Sequence, residues 1–192
     1  MTKSELRTAF LERRRRLSND ERASQSRHVA ERFFEAVNIE AVKTLHTFIP
    51  IRKFCEIDTS HIYERIWIEY PRVKTVVARV NFATGELEHA NFTAASALSE
   101  NKWGIREPIN GEQVNEAKID LVLVPLLAFD RRGYRVGYGR GFYDKFLSRC
   151  CRDCLKVGLS YFPPVEAIGD ADAHDVPLDQ CITPQTVFSF TN

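Results

Sequence analysis

The sequence predicts an α/β fold: a largely parallel central sheet flanked by helices, with two helices at the N-terminus. Three observations predict it. Segments of helical and strand-like periodicity alternate along the chain. Leu121 to Leu127 is a nearly continuous apolar run, the pattern of a strand buried on both faces. Ser18-Asn19-Asp20-Glu21 matches a capping box, in which Ser18 caps a helix and Glu21 reaches back to it.

Taken in order, Leu6, Phe10 and Leu17 lie close to one face of a first helix, with arginines between them. Ala23, Ala30, Phe33, Phe34 and Val37 form the expected buried face of the second. Val42 to Ile49 reads as a strand, and Thr59 to Tyr70 as a helix stopped by Pro71. Val73 to Val80 is β-branched and strand-like, and Ala83-Thr84-Gly85 turns the chain toward a short strand near Leu87 to Phe92. Ser99 to Asn115 reads as a polar connection broken by Gly104, Pro108 and Gly111. A helix is expected from about Phe142 to Arg152, then strands at Leu155 to Tyr161 and Val187 to Phe190. No repeat or linker divides the 192 residues, so one domain over 1–192 is expected.

Composition narrows the function classes. With 44% hydrophobic and 28% charged residues the chain is ordinary for a globular protein, and a net charge of +1 makes no bulk offer to nucleic acid or membrane. The charged N-terminus reads as no signal peptide, and the apolar run near Leu121 is too short to span a bilayer. The odd cysteine count, without a disulfide-framework spacing, points to a reducing cytoplasm. Arg13 to Arg16 reads as a solvated helix face, because Glu12, Asp20 and Glu21 flank it. Cys151-Arg-Asp-Cys154 lacks the second pair that a zinc site requires. The histidines 28, 46, 61 and 89 show no spacing that suggests a metal cluster or catalytic pair.

The segment from Leu121 to Asp144 carries the chemistry. It runs from a buried strand through a glycine-rich turn into a helix, where open α/β sheets bind ligands. Gly137, Gly139 and Gly141 let backbone approach a phosphate, and Arg135 and Arg140 add charge and directional hydrogen bonds. No Gly-Lys-Ser/Thr follows, and Phe142 occupies the third glycine of the dinucleotide fingerprint, so neither of those loops is present. The competing reading is a tight strand-to-helix turn. The interleaved arginine and tyrosine favour phosphate. Asp144, on the first helical turn, serves two readings equally: it complements the helix dipole, or it binds magnesium alongside phosphate oxygens.

At this point the sequence closely resembles the 5-formyltetrahydrofolate cyclo-ligase family (methenyltetrahydrofolate synthetase). The resemblance rests on Lys3-Ser-Glu-Leu-Arg7, Glu56-Ile-Asp-Thr59, Trp103-Gly-Ile-Arg-Glu-Pro108 and the specific block Gly137-Tyr-Gly-Arg-Gly-Phe-Tyr-Asp144. A weaker piece is His174-Asp175-Val-Pro-Leu-Asp179 followed by Thr183. It implies that Lys3 and Arg7 reach ATP phosphates, with Arg135, Val136, Gly137, Tyr138, Gly139, Arg140, Gly141, Phe142 and Tyr143 as the nucleotide loop. Without it, Lys3 and Arg7 read as a solvated basic face. Tyr138 to Phe142 would also contact the folate, together with Ile49, Glu56 and Trp103. Glu56 would accept hydrogen bonds from the pterin donor edge, and Trp103 would pack on the flat ring. Asp144 and Asp175 would be the Mg2+ carboxylates. Leu126 departs from the pattern, standing where many members have glycine.

The implied reaction joins N10 of 5-formyltetrahydrofolate to the N5 formyl carbon after ATP phosphorylates the formyl oxygen. Its products would be 5,10-methenyltetrahydrofolate, ADP and phosphate, with Arg140 as the catalytic cation. The implied partners are small molecules, with no nucleic acid and no membrane, and the expected state is a monomer or weak oligomer. Two other classes compete: a noncatalytic folate- or nucleotide-binding protein, and an α/β enzyme of sugar phosphates. A requirement for ATP separates the latter.

Overall fold

The computed structural model describes residues 1–81, 83–101 and 104–190. Its α/β architecture agrees with the expectation. The two N-terminal helices are α1 (Lys3–Arg16) and α2 (Asn19–Ala36). The Ser18 hydroxyl accepts the Glu21 N–H at 3.2 Å while Glu21 Oε2 accepts the Ser18 N–H at 2.7 Å, so the capping box is made. Thr2 and Glu5 make a second one at the start of α1. Ala23 is exposed rather than buried, because the packed stripe of α2 begins at Ser26, whose Oγ lies 3.3 Å from the Tyr161 hydroxyl.

Strand β1 (Thr44–Thr47) leads through α3 (Ser60–Glu69) into β2 (Lys74–Asn81) and β3 (Glu86–Asn91). The supposed polar connection then holds an antiparallel pair, β4 (Leu98–Glu100) and β5 (Arg106–Pro108). Strand β6 (Leu121–Pro125) is followed by a small hairpin, β7 (Ala128–Phe129) and β8 (Arg135–Val136), and by α4 (Phe142–Leu147). α4 stops well short of Arg152. The chain closes with β9 (Leu155–Leu159), β10 (Gln180–Ile182) and β11 (Val187–Ser189). Of these, β10 carries no strand signal in the sequence.

The seven-stranded sheet has the order β11-β10-β9-β6-β1-β2-β3. The inner strands β10, β9, β6, β1 and β2 run parallel, and β11 and β3 pair antiparallel at the edges. Strand order reverses between β1 and β6: from β1 the chain goes first to β2 on one side, then to β6 on the other. A crevice opens at such a switch point, beyond the carboxyl ends of the strands.

β6 shows why the sheet is double-sided. Leu121 and Leu123 pack with Val29, Phe33, Ile62 and Ile66 of α2 and α3, whereas Val122 and Val124 pack with Phe146 and Leu147 of α4. Leu126 is buried over Gly158, where its Cδ2 would stand 2.6 Å from an added Cβ, so it packs against that glycine. A third cluster, Leu6 and Phe10 against Leu127, Ala128, Val136 and Ile168, seats α1 on the β7–β8 hairpin. That docking brings the basic face of α1 to the crevice.

Candidate active site

A cavity of about 640 Å3 occupies the switch point. Phe48 and Ile49 border it from the end of β1, and Pro125 from the end of β6. Lys3, Arg7, Ile49, Glu56, Arg135, Val136, Gly137, Tyr138, Gly139, Arg140, Gly141, Phe142, Tyr143, Asp144 and Asp175 all border it. Trp103 lies outside the described residues.

The glycine loop is shaped from below. Buried Asp130 accepts the N–H groups of Arg132, Tyr134 and Ile168, at 2.9, 3.1 and 3.1 Å, and so fixes the hairpin that launches the loop. Gly139 has φ +86°, and a Cβ there would sit 3.1 Å from Arg7 Cζ. Only glycine combines that backbone with that approach. Arg7 Nε donates to the Gly137 carbonyl at 3.0 Å, binding α1 to the loop. Gly141, with φ +68°, begins α4. With only 6 residues, α4 has a weaker dipole than the longer helix expected. Side-chain cations and loop N–H groups therefore carry more of any anion binding.

Two carboxylate–cation pairs border the same cavity. Arg135 is buried, its Nη2 2.7 Å from Asp144 Oδ1, and its Nη1 donates to the Val176 carbonyl. Burial pulls this guanidinium below its ordinary value, and Asp144 opposes that pull. Lys3 Nζ lies 2.6 Å from Asp175 Oδ2 and 3.5 Å from Asp172 Oδ2. Partial burial lowers the Lys3 pKa, but the hydrogen bond and charge of Asp175, with Asp172, outweigh it and leave it above the ordinary lysine value. Among the described residues no group of three or more His, Cys, Asp or Glu could hold a metal. The donor set of Asp144 and Asp175 suits magnesium, which takes one or two carboxylates and completes its shell with phosphate oxygens and water.

Glu56 is buried, and each of its carboxylate oxygens accepts one hydrogen bond. Its Oε2 accepts the Ile51 N–H at 2.7 Å and its Oε1 accepts the Tyr138 hydroxyl at 2.6 Å. Burial raises its pKa; the Ile51 N–H, Tyr138 and the Arg14 charge pull it partly back. Burial and the Glu56 charge push the Tyr138 phenol well up, and burial does the same for Tyr143, so both remain O–H donors at neutral pH. Each carboxylate oxygen has lone pairs left for a flat donor edge. Phe54 stacks on Tyr138, centroids 4.5 Å apart and planes 21° apart, adding an aromatic wall not foreseen in the sequence.

One further reading changes. Arg14 belongs to the supposedly solvated arginine run but is buried, with its guanidinium directed at Tyr138 and Leu126. A signal existed: position 14 continues the Lys3–Arg7–Phe10 stripe at helical spacing. His46 and His89, without suggestive spacing in sequence, meet across the sheet with ring centroids 5.1 Å apart.

Comparison with known proteins finds relatives of one family. Residues 1–184 match the profile of the 5-formyltetrahydrofolate cyclo-ligase family. The chain is 31% identical over 193 residues to the mitochondrial 5-formyltetrahydrofolate cyclo-ligase of Arabidopsis thaliana, spanning 88% of this chain and 69% of that one. It is 28% identical over 182 residues to the 5-formyltetrahydrofolate cyclo-ligase of Escherichia coli (strain K12), spanning 93% and 98%. The fold is similar to the NMR structure of Aquifex aeolicus 5,10-methenyltetrahydrofolate synthetase, with a TM-score of 0.84 and 31% identity over 100% of this chain and 94% of that one.

Proposed function

Because this chain belongs to the 5-formyltetrahydrofolate cyclo-ligase family, we propose that it converts 5-formyltetrahydrofolate and ATP into 5,10-methenyltetrahydrofolate, ADP and phosphate. The observation that carries the proposal is one cavity bordered both by a cation-rich glycine loop and by a buried, oriented carboxylate. A nucleotide and a flat, donor-edged ring are the two ligands that pair of features fits.

The formyl oxygen belongs to an amide, so its carbon is a poor electrophile. Attack of that oxygen on the γ-phosphorus breaks the bond to ADP and makes the oxygen a leaving group. N10 then bonds to the formyl carbon and gives up its proton, and phosphate departs with the oxygen, carrying that proton as hydrogen phosphate. Such a transfer asks the protein for positioning and charge neutralisation. Lys3, Arg7 and Arg140 neutralise the phosphates, and the loop N–H groups fix their position. Arg140 is the cation assigned to the transferring group. Glu56 holds the pterin edge, while Ile49, Phe54 and Tyr138 present apolar and aromatic surface to the ring. Asp144 and Asp175 would hold magnesium against the phosphate oxygens, where it would supply further charge neutralisation. No nucleophilic side chain is called for.

Cytoplasmic residence is part of the proposal. The odd number of cysteines, without a disulfide-framework spacing, supports a reducing compartment. No helix among the described residues is long and apolar enough to cross a membrane.

The test is optical. Purified protein mixed with 5-formyltetrahydrofolate, ATP and magnesium should develop the absorbance band of the methenyl product, with all three required and with Arg140→Ala inactive. Folded protein that gives no band beside a working control enzyme would reduce the proposal to binding without turnover.

A further inference from the structure

Arg14 enters the protein where its neighbours stay outside. It is 2% exposed, and Arg13, Arg15 and Arg16 are exposed. A buried guanidinium is costly unless hydrogen-bonded, and an apolar side chain would fill this position on the α1 stripe at no such cost. Among the described residues Arg14 makes no direct ion pair with a carboxylate, and its Nε has no partner. What it does reach is the Tyr138 hydroxyl, 3.2 Å from Nη1, and the Leu126 carbonyl, bonded to Nη2.

The chemistry of these groups gives the contact a direction. A guanidinium has no acceptor, so the Tyr138 oxygen must accept from Arg14. The single hydroxyl proton is then directed to the other neighbour, Glu56 Oε1 at 2.6 Å. A phenol whose rotor would otherwise be free is held as a donor to one carboxylate oxygen. Glu56 is fixed from its other side as well, because the Ile51 N–H takes Oε2 and the Tyr161 hydroxyl donates to its main-chain carbonyl at 2.9 Å. Tyr138 itself lies between Gly137 and Gly139, in the loop that Arg7 binds.

We propose that Arg14 is a positioning residue for folate recognition: through the Tyr138 hydroxyl it orients the Glu56 carboxylate toward the pterin donor edge. The inference rests on the reading of Glu56 as the folate acceptor. It assigns Arg14 no contact with either substrate: the hydrogen-bond path to Glu56 runs through Tyr138, and only the charge of Arg14 reaches Glu56 without it.

A double-mutant cycle tests it, with direct binding of 5-formyltetrahydrofolate and steady-state kinetics on the full chain. Arg14→Met and Tyr138→Phe should each weaken folate binding roughly ten-fold, the loss expected for a hydrogen bond to a charged group. The double variant should lose no more than about two-fold beyond Tyr138→Phe, since once the hydroxyl is gone only the through-space effect of the Arg14 charge on Glu56 remains to be lost. In Arg14→Met the folate KM should rise while kcat and the ATP KM stay within about three-fold, which separates positioning from general damage to the fold. Additive losses in the double variant, or a parallel rise in both KM values, overturn the proposal. Should Arg14→Met fail to fold, Tyr138→Phe alone decides: wild-type folate affinity in that variant overturns it. Glu56→Gln separates the two failures. If Glu56→Gln binds folate normally, the reading of Glu56 falls and this proposal with it. If Glu56→Gln is weakened while Arg14→Met and Tyr138→Phe are normal, only this proposal falls.

Discussion

Lys3 and Asp175, 172 positions apart in the chain, meet in an ion pair of 2.6 Å beside the glycine loop. Under the proposed function one serves the nucleotide's phosphates and the other its metal, and the ion pair neutralises both charges. Lys3→Ala should raise the ATP KM roughly ten-fold, the scale of one charge-assisted hydrogen bond. It should also strengthen Mn2+ binding without nucleotide, measured by paramagnetic resonance, because Asp175 is released. Unchanged ATP KM and unchanged Mn2+ affinity would show that the pair lies outside the nucleotide site.

Glu56 makes stability depend on pH. Its carboxyl is raised in the folded protein above the ordinary 4.5 by burial, against the pull of Ile51, Tyr138 and Arg14. The folded state therefore holds this proton more tightly than the unfolded chain. Its contribution is greatest at low pH and is lost as pH rises from the ordinary value through the folded one. Urea denaturation of wild type and Glu56→Gln between about pH 4 and pH 7 should show wild type losing stability relative to the variant as pH rises. The opposite slope would mean that the hydrogen bonds outweigh burial.

His46 acts in the other direction. It is fully buried, neither ring nitrogen has a hydrogen-bond partner among the described residues, and burial with the neighbouring His89 holds it well below 6.5. The unfolded chain takes up a proton that the folded state refuses, so stability falls as pH drops below that value. His46→Leu should remove this slope, up to about 1.4 kcal/mol per pH unit, in denaturation at about pH 5 to 7. At neutral pH the change should be small, because an apolar side chain leaves no polar atom unpaired. Equal pH slopes in the two proteins would place the acid sensitivity elsewhere.

Gly158 carries the packing of β9 against its neighbours. An added Cβ would lie 2.6 Å from both Leu126 Cδ2 and Leu178 Cδ1. Gly158→Ala should cost about 1–3 kcal/mol by overpacking, with Leu126→Ala in the same background restoring part of it. Thermal denaturation of the single and double variants measures both effects. A fully additive loss would show that Leu126 is not what the methyl group meets.

Much of this fold was legible because its signals are local. α1 and α2 announce themselves by periodicity and by the Ser18–Glu21 capping box, and β6 by an apolar run that both sheet faces require. The short strands were not legible: β4, β5 and β10 have three residues each, too few to show a strand periodicity. α4 was drawn too long because the residues after Leu147 remain compatible with helix, although the chain turns away there.

The glycine loop is contiguous, so the sequence alone picked out both it and Asp144 as candidates, and the family motifs added Lys3, Glu56 and Asp175. Only the tertiary structure decided that these segments share one cavity at the β1–β6 switch point, and that Arg14 turns inward to Tyr138. Helical spacing states which side chains share a face of α1. What that face meets is set by the docking of α1 on the β7–β8 hairpin, a contact between segments more than a hundred residues apart whose geometry no local pattern encodes.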